Sequence, residues 1–261
     1  MFEQYKDVIQ NFGTYSKNVF RKDYFSWLVG HMKTWSKFSW GLVIFNLVVQ
    51  IVLAYEGFGR VPVYQTILGF LGANLSVMCV IGIANKAPIQ GWFGLTSAIC
   101  IASSGLLAGN FADATLQLGY IIFLDMFCIL SPKWNDNVKA TKVKDAREWF
   151  GYAAFFFIAW AIVYFIYGKL NDPRLLLDSA TLAISLTGAL MQFNLKREQF
   201  FVWTLTSIIT LSLWVQTALM GDANYALVAS YSVFLLNDLW AFFSPNGWFR
   251  GRSRQEANEI A

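Results

Sequence analysis

Long apolar runs alternate with short polar connections along this chain, and the length of the runs carries the first inference. A run of about 20 apolar residues, at 1.5 Å rise per residue, crosses a hydrocarbon core of roughly 30 Å. The pattern predicts eight membrane-spanning helices, near residues 39–57, 62–84, 91–108, 112–131, 148–168, 175–193, 199–220 and 223–243. The last two runs form a hairpin through the polar turn Gly221-Asp222-Ala223-Asn224. They hold Trp203, Thr206, Ser207, Thr210, Trp214, Gln216, Ser230, Asn237, Asp238 and Trp240, a heavy polar and aromatic load for hydrocarbon. Such groups face a protein interior or a wet cavity. Trp203, Ser207, Thr210 and Trp214 recur at helical spacing and share one face, while Asn237 and Trp240 lie one turn apart on the next helix. Aromatic plates beside amides and hydroxyls suit a flat, polar, uncharged ligand.

Composition agrees with a membrane protein. Only 14% of the residues are charged and 56% are hydrophobic, against about 25% charged in a soluble domain. Cys79, Cys100 and Cys128 all sit inside apolar runs without a CxxC spacing, so neither a disulfide framework nor a metal site is expected. The single histidine, His31, lies outside the spans, and no H-E-x-x-H or G-x-S-x-G is present. A hydrolase would need such a nucleophile–base pair or clustered metal ligands. No span holds a lysine for a Schiff base. The sequence therefore reads as a transporter without cofactor, metal or nucleic-acid partner rather than as an enzyme. A channel stays open as an alternative, because gating is not legible in sequence.

The first apolar run begins only near Trp40, after a long basic segment, so no signal peptide is expected. Residues 1–38 interleave aromatics with Lys17, Arg21, Lys22, Lys33 and Lys37, a pattern for an interfacial helix on an anionic membrane surface; a plain cytoplasmic tail is the alternative. With the N-terminus inside and eight spans, all of the 20 Lys and Arg except Arg60, Lys169 and Arg174 fall on the cytoplasmic side. The bias predicts cytoplasmic N- and C-termini.

Residues 62–132 and 175–245 look alike. Each has three apolar runs and ends in Asp, five residues, then Ser-Pro: Asp125 with Ser131-Pro132, and Asp238 with Ser244-Pro245. The second run of each carries Thr-Ser, at Thr96-Ser97 and Thr206-Ser207, and the second turns are Gly109-Asn110 and Gly221-Asp222. Together these matches predict a tandem duplication with parallel repeats and a ligand site between them. The expected organisation is an N-terminal segment 1–38, an extra helix and loop 39–61, a first repeat 62–132, a basic loop and linker helix 133–174, a second repeat 175–245 and a tail 246–261.

The segments IGIANKAPIQGWFGLTS, ATLQLGYIIFLDMF, FFVWTLTS and YSVFLLNDLW resemble the PnuC family of vitamin transporters, over about residues 62–245. The resemblance implies an all-helical 3+1+3 architecture like that of the SWEET sugar transporters, preceded here by one extra helix. It implies uptake of nicotinamide riboside across a bacterial inner membrane by facilitated diffusion, with a cytoplasmic kinase trapping the vitamin, and assembly into homotrimers. Relatives carry thiamine, riboflavin or deoxynucleosides. The family pattern W-x-x-W-x-x-x-N reads Phe200, Trp203 and Ser207 here, which leaves the substrate open among these.

The expected substrate site draws on Trp203, Thr206, Ser207, Gln117, Tyr120, Asn237 and Trp240 near the membrane midplane, with Asn74, Thr96 and Gln192 as further candidates. Gln117, Asn74 and Gln192 could equally bridge helices, and Thr96 and Ser97 could mark close helix packing. Asp125 and Asp238 are the carboxylates deepest in spans. Both are expected to be structural, paired with loop bases or with the Pro-terminated turn, because no intramembrane Lys, Arg or His completes a proton relay.

Overall fold

Every expected apolar run is helical in the computed structural model, which describes residues 2–57, 59, 62–107, 111–171, 175–219, 225–244 and 247–250. Three short helices lead the chain: α1 (Glu3–Gln10), α2 (Phe12–Val19) and α3 (Tyr24–Gly30). Nine more follow: α4 (Lys37–Gly57), α5 (Val63–Ala84), α6 (Gln90–Leu107), α7 (Phe111–Tyr120), α8 (Met126–Leu130), α9 (Ala146–Lys169), α10 (Leu175–Phe193), α11 (Gln199–Leu219) and α12 (Tyr225–Phe243). By length and composition α4, α5, α9, α10, α11 and α12 can cross a bilayer. Of the eight expected spans, the 18-residue α6 and the shorter apolar run Ala114–Leu130 are not among the helices long and apolar enough to cross in the described residues. The turns expected at 109–110 and 221–224, together with Pro245 and most of the tail, lie outside the described residues.

The run from α7 to α8 is not uniform. Ile121–Asp125 between them form a π-helical turn, a widened stretch that re-aims the side chains around it and is frequent at functional sites. Gln117 and Tyr120 lie before it and Asp125 at its end.

Two turns are built alike. At the end of α5 the side chain of Asn85 donates to Ile81 O (2.8 Å), the amide of Ala87 donates to Gly82 O (2.8 Å), and Lys86 is left-handed with φ 54°. At the end of α10 the side chain of Asn194 donates to Leu190 O (2.7 Å), the amide of Lys196 donates to Met191 O (2.9 Å), and Leu195 is left-handed with φ 56°. Both close the helix with a Schellman-type pair of bonds, and both do so without glycine at the left-handed position. Packing is also alike. α5 lies against α6 and α12, and α10 lies against α11 and the α7–π segment. The first helix of each three-helix group thus touches the last helix of the other.

The extra helix α4 is joined to this core by buried amides. Asn46 Nδ2 donates to Asn74 Oδ1 on α5 (3.1 Å), and Gln50 Nε2 donates to Ala226 O and to Ser230 Oγ on α12 (both 3.1 Å). Polar groups in hydrocarbon find partners on neighbouring helices, so α4 is fixed to both groups. On α9, Trp160 Nε1 donates to Ser179 Oγ of α10 (3.1 Å).

The N-terminal segment, expected on the membrane surface, packs a few of its side chains on protein and leaves most of its surface exposed. Val8 is buried, Tyr5 meets Phe127 edge-on and Phe193 at a tilt, with centroids 4.7 and 4.3 Å away, and its hydroxyl donates to Phe123 O of the π turn (2.7 Å). Burial pushes the Tyr5 phenol well above its ordinary pKa, so it stays a donor. Tyr24, Leu28 and Trp35 pack against Ile81, Ala87 and Ile89 around the α5–α6 turn. The aromatics of this segment read as interfacial because sequence does not separate burial against lipid headgroups from burial against protein. Phe12, Phe20 and Phe25 remain exposed.

The same end of the bundle is sealed by a hydrophobic cluster from four segments: Val8 of α1, Trp134 and Val138 of the loop after α8, Phe193 and Phe200 around the α10–α11 turn, and Trp248 beyond α12. The Trp248 side chain is fully buried and donates to Ile83 O (2.8 Å). The loop is tied down as well. The Thr141 amide donates to Leu195 O (2.8 Å), the Arg197 amide donates to Thr141 O (2.9 Å), and Lys196 pairs with Glu148 at 2.7 Å.

Candidate functional site

The bundle encloses a cavity of about 550 Å³, within the size range of small-molecule sites. It runs from Gly57, Gln65, Thr66 and Asp178 at one end to Ile83, Gln192 and Phe200 at the other, directly above the sealing cluster. Its walls come from α4, α5, α6, the α7–π segment, α10, α11 and α12.

Six of the expected site residues line it: Gln117, Tyr120, Gln192, Trp203, Thr206 and Ser207. Trp203 is held in place by its neighbours. Its indole lies against Gly188 of α10, where a β-carbon would come within 3.1 Å of the ring, and its centroid is 6.3 Å from that of Tyr120 at an interplanar angle of 58°. Its Nε1 has no hydrogen-bond partner among the described residues. The same is true of Gln192 Oε1, Ser185 Oγ and Thr210 Oγ1, all on lining residues. Buried polar atoms are normally satisfied, so a cavity lined by such atoms is prepared for a polar ligand. Gln192 Nε2 donates to Gln90 Oε1 (3.3 Å), which joins α10 to α6 at the base of the cavity.

Four expected residues are placed elsewhere. Asn237 is fully buried, but its Nδ2 donates to Val80 O (3.1 Å), joining α12 to α5. Trp240 stacks on Phe38, with centroids 4.6 Å apart. Asn74 accepts from Asn46 and donates to Phe70 O (2.8 Å), so it joins α5 to α4. Thr96 is exposed and donates to Trp92 O (2.8 Å) within its own helix. None of the four is among the residues lining the cavity.

Asp125 and Asp238 depart from the loop-base pairing, one of the two expected for them. Both are buried, both line the cavity, and neither pairs with a loop base among the described residues. Asp238 Oδ2 accepts from Ser207 Oγ (2.8 Å). The Asp125 carboxylate packs onto Gly94 of α6, where a β-carbon would clash with it, and its Oδ2 has no partner among the described residues. In each three-helix group the acid of the third helix thus turns toward the second helix and the cavity. The signal was present in sequence: two acids well inside apolar helices without a base at i±3 or i±4.

Residues 66–250 match the family described as nicotinamide mononucleotide transporter. A nicotinamide riboside transporter PnuC from Neisseria mucosa is 21% identical over 187 residues, which cover 68% of this chain and 71% of that protein. A crystal structure of the vitamin B3 transporter PnuC superposes with a TM-score of 0.69 at 18% identity, over 90% of this chain and 98% of that one; at that identity the likeness speaks for the fold. A helical bundle with a polar-lined cavity, within a match that covers most of the chain, fits a multi-pass membrane transporter of a small molecule and not an enzyme. The chain belongs to the nicotinamide mononucleotide transporter family, the family of the PnuC transporters.

Proposed function

We propose that this protein takes up nicotinamide riboside by facilitated diffusion across a bacterial inner membrane, with a cytoplasmic kinase trapping the vitamin after entry. The observation that carries the reading is the Trp203 wall. An indole set between Gly188 and Tyr120, with its Nε1 unpartnered among the described residues, stands in one cavity with Gln117 and Gln192. A flat heteroaromatic ring stacks on the indole. The amides offer donors and acceptors that match a carboxamide and ribose hydroxyls. The name of the Neisseria mucosa relative points the same way.

The transport path in this reading runs along the cavity and through the sealed end. Eight crossings with cytoplasmic termini put that sealed end in the cytoplasm, and the cavity then faces outward. A tandem 3+1+3 arrangement with α4 added is supported by the two Schellman-type turns at Lys86 and Leu195 and by the matched packing of the two three-helix groups. Rocking of one group against the other would move the seal away from the cavity floor. Assembly as a homotrimer completes the reading, and crosslinking in native membranes that yields only monomer would remove it.

A related vitamin is the second reading. Phe200 lines the cavity and Ser207 is bound to Asp238, where the family pattern has Trp and Asn. Binding of purified protein to nicotinamide riboside, thiamine, riboflavin and nucleosides separates the two. For the transport mode, proteoliposomes without ion or voltage gradient are expected to equilibrate the vitamin without accumulating it. Uphill accumulation driven by a proton or sodium gradient would replace facilitated diffusion with coupled transport.

A further inference from the structure

Three carboxylates line the cavity, and two of them, Asp125 and Asp238, are buried in it with no base to answer them. Asp125 and Asp238 are 2% and 4% exposed, and no Lys, Arg or His is among the described lining residues. The buried lysines nearby are directed elsewhere: Lys86 Nζ donates to Gly247 O (3.3 Å), and Lys196 Nζ binds Glu148 (2.7 Å) and Lys142 O (3.0 Å). A buried carboxyl without a counter-charge is costly to ionise, and it gives up its proton where a partner of opposite charge arrives. The rest of the lining adds acceptor character. Gln192 Oε1 is fully buried with no partner among the described residues, and so is Asp125 Oδ2. Trp203 and Tyr120 turn aromatic rings to the same space, and an aromatic face attracts a cation.

We infer that Asp125 and Asp238 make the cavity selective for a positively charged substrate, a cationic N-substituted heteroaromatic ring in preference to its neutral isostere. The inference rests on the proposal that this cavity is the transport site. It replaces the uncharged ligand expected from the aromatic and amide residues alone. The two acids act as specificity determinants: the ligand brings the missing positive charge, and Ser207 holds one oxygen of Asp238 so that the carboxylate stays aimed across the α11–α12 contact. A neutral ligand of the same shape would leave both carboxylates unmatched and would lose the cation–π contribution.

The test uses the reduced dihydro form of nicotinamide riboside, which has nearly the same shape with a neutral ring. Calorimetric titration of the purified full-length protein compares nicotinamide riboside, its dihydro form, thiamine (a cation) and riboflavin (neutral). A preference of about 10- to 100-fold for the cation of a pair is expected, the scale of a charge-assisted contact. Asp125→Asn and Asp238→Asn should each shrink that ratio at least about threefold, whereas Asp125→Glu and Asp238→Glu should keep it above about tenfold. If the Asn variants do not fold, the wild-type ratio and the Glu variants decide. Equal affinity for nicotinamide riboside and its dihydro form would overturn the inference and leave the proposed cargo standing. Tight binding of thiamine without nicotinamide riboside would overturn the cargo and leave charge selection standing. Binding of riboflavin alone, or of none of the four, would overturn both.

Discussion

The indole of Trp203 rests on the bare backbone of Gly188: a β-carbon there would stand 3.1 Å from Cζ2 and 3.2 Å from Cε2 and Cη2. Any side chain at 188 therefore pushes the ring toward the cavity. Gly188→Ala gains helix propensity, about 1 kcal/mol, and that gain offsets much of the steric cost. Thermal stability is expected to move by less than about 1 kcal/mol, with vitamin affinity falling about 3- to 10-fold. Titration and melting of the same sample check both. Unchanged affinity would mean that the ring position does not matter to the ligand.

Asn237 separates structure from binding. Its amide joins α12 to Val80 O of α5. Asn237→Ala removes that bond between the helices, at a cost of about 0.5–1.5 kcal/mol of stability. Affinity in the folded fraction should stay within about twofold of wild type. A large affinity loss without a stability loss would bring Asn237 into the site.

Trp248 tests the seal. Trp248→Phe keeps most of the ring contacts with Trp134 and Phe200 and loses the bond to Ile83 O; the expected cost is about 1–2 kcal/mol. Trp248→Ala also opens a void in the cluster beneath the cavity, for about 3–5 kcal/mol. Denaturant or thermal unfolding in detergent gives both values, and a mild Ala variant would show that the segment after α12 is not part of the core.

Sidedness is open to labelling. With cysteines placed at Arg60 and at Lys139 in turn, an impermeant thiol reagent added to intact cells should modify the first and spare the second, as the distribution of basic residues predicts. The reverse pattern would invert the orientation and turn the sealed end outward.

The order and rough bounds of the apolar helices were legible in the sequence, because a helix needs only a run of apolar residues long enough for the bilayer, a local property. The break at Ile121–Asp125 was not, since a π turn leaves the apolar pattern intact and shifts only the rotation of the helix beyond it. The two left-handed turns at Lys86 and Leu195 carry no glycine to announce them. The N-terminal segment showed its aromatic character but not what would cover it.

For the site, the sequence by itself determined which helices carry the chemistry, since polar and aromatic residues inside apolar runs are rare enough to stand out. Which of those residues face the cavity was decided by the tertiary structure alone. Asn237 and Asp238 are neighbours in the chain, about 100° apart around the helix. The packing of α12 against α5 turns Asn237 onto the Val80 carbonyl and leaves Asp238 to meet Ser207 in the cavity. Trp203 lines the cavity and Trp240 does not, because one indole has Gly188 beside it and the other has Phe38. The rotation of a helix about its own axis is fixed by its partners, and in a bundle whose helices are apolar on nearly every side those partners are not written in any single helix.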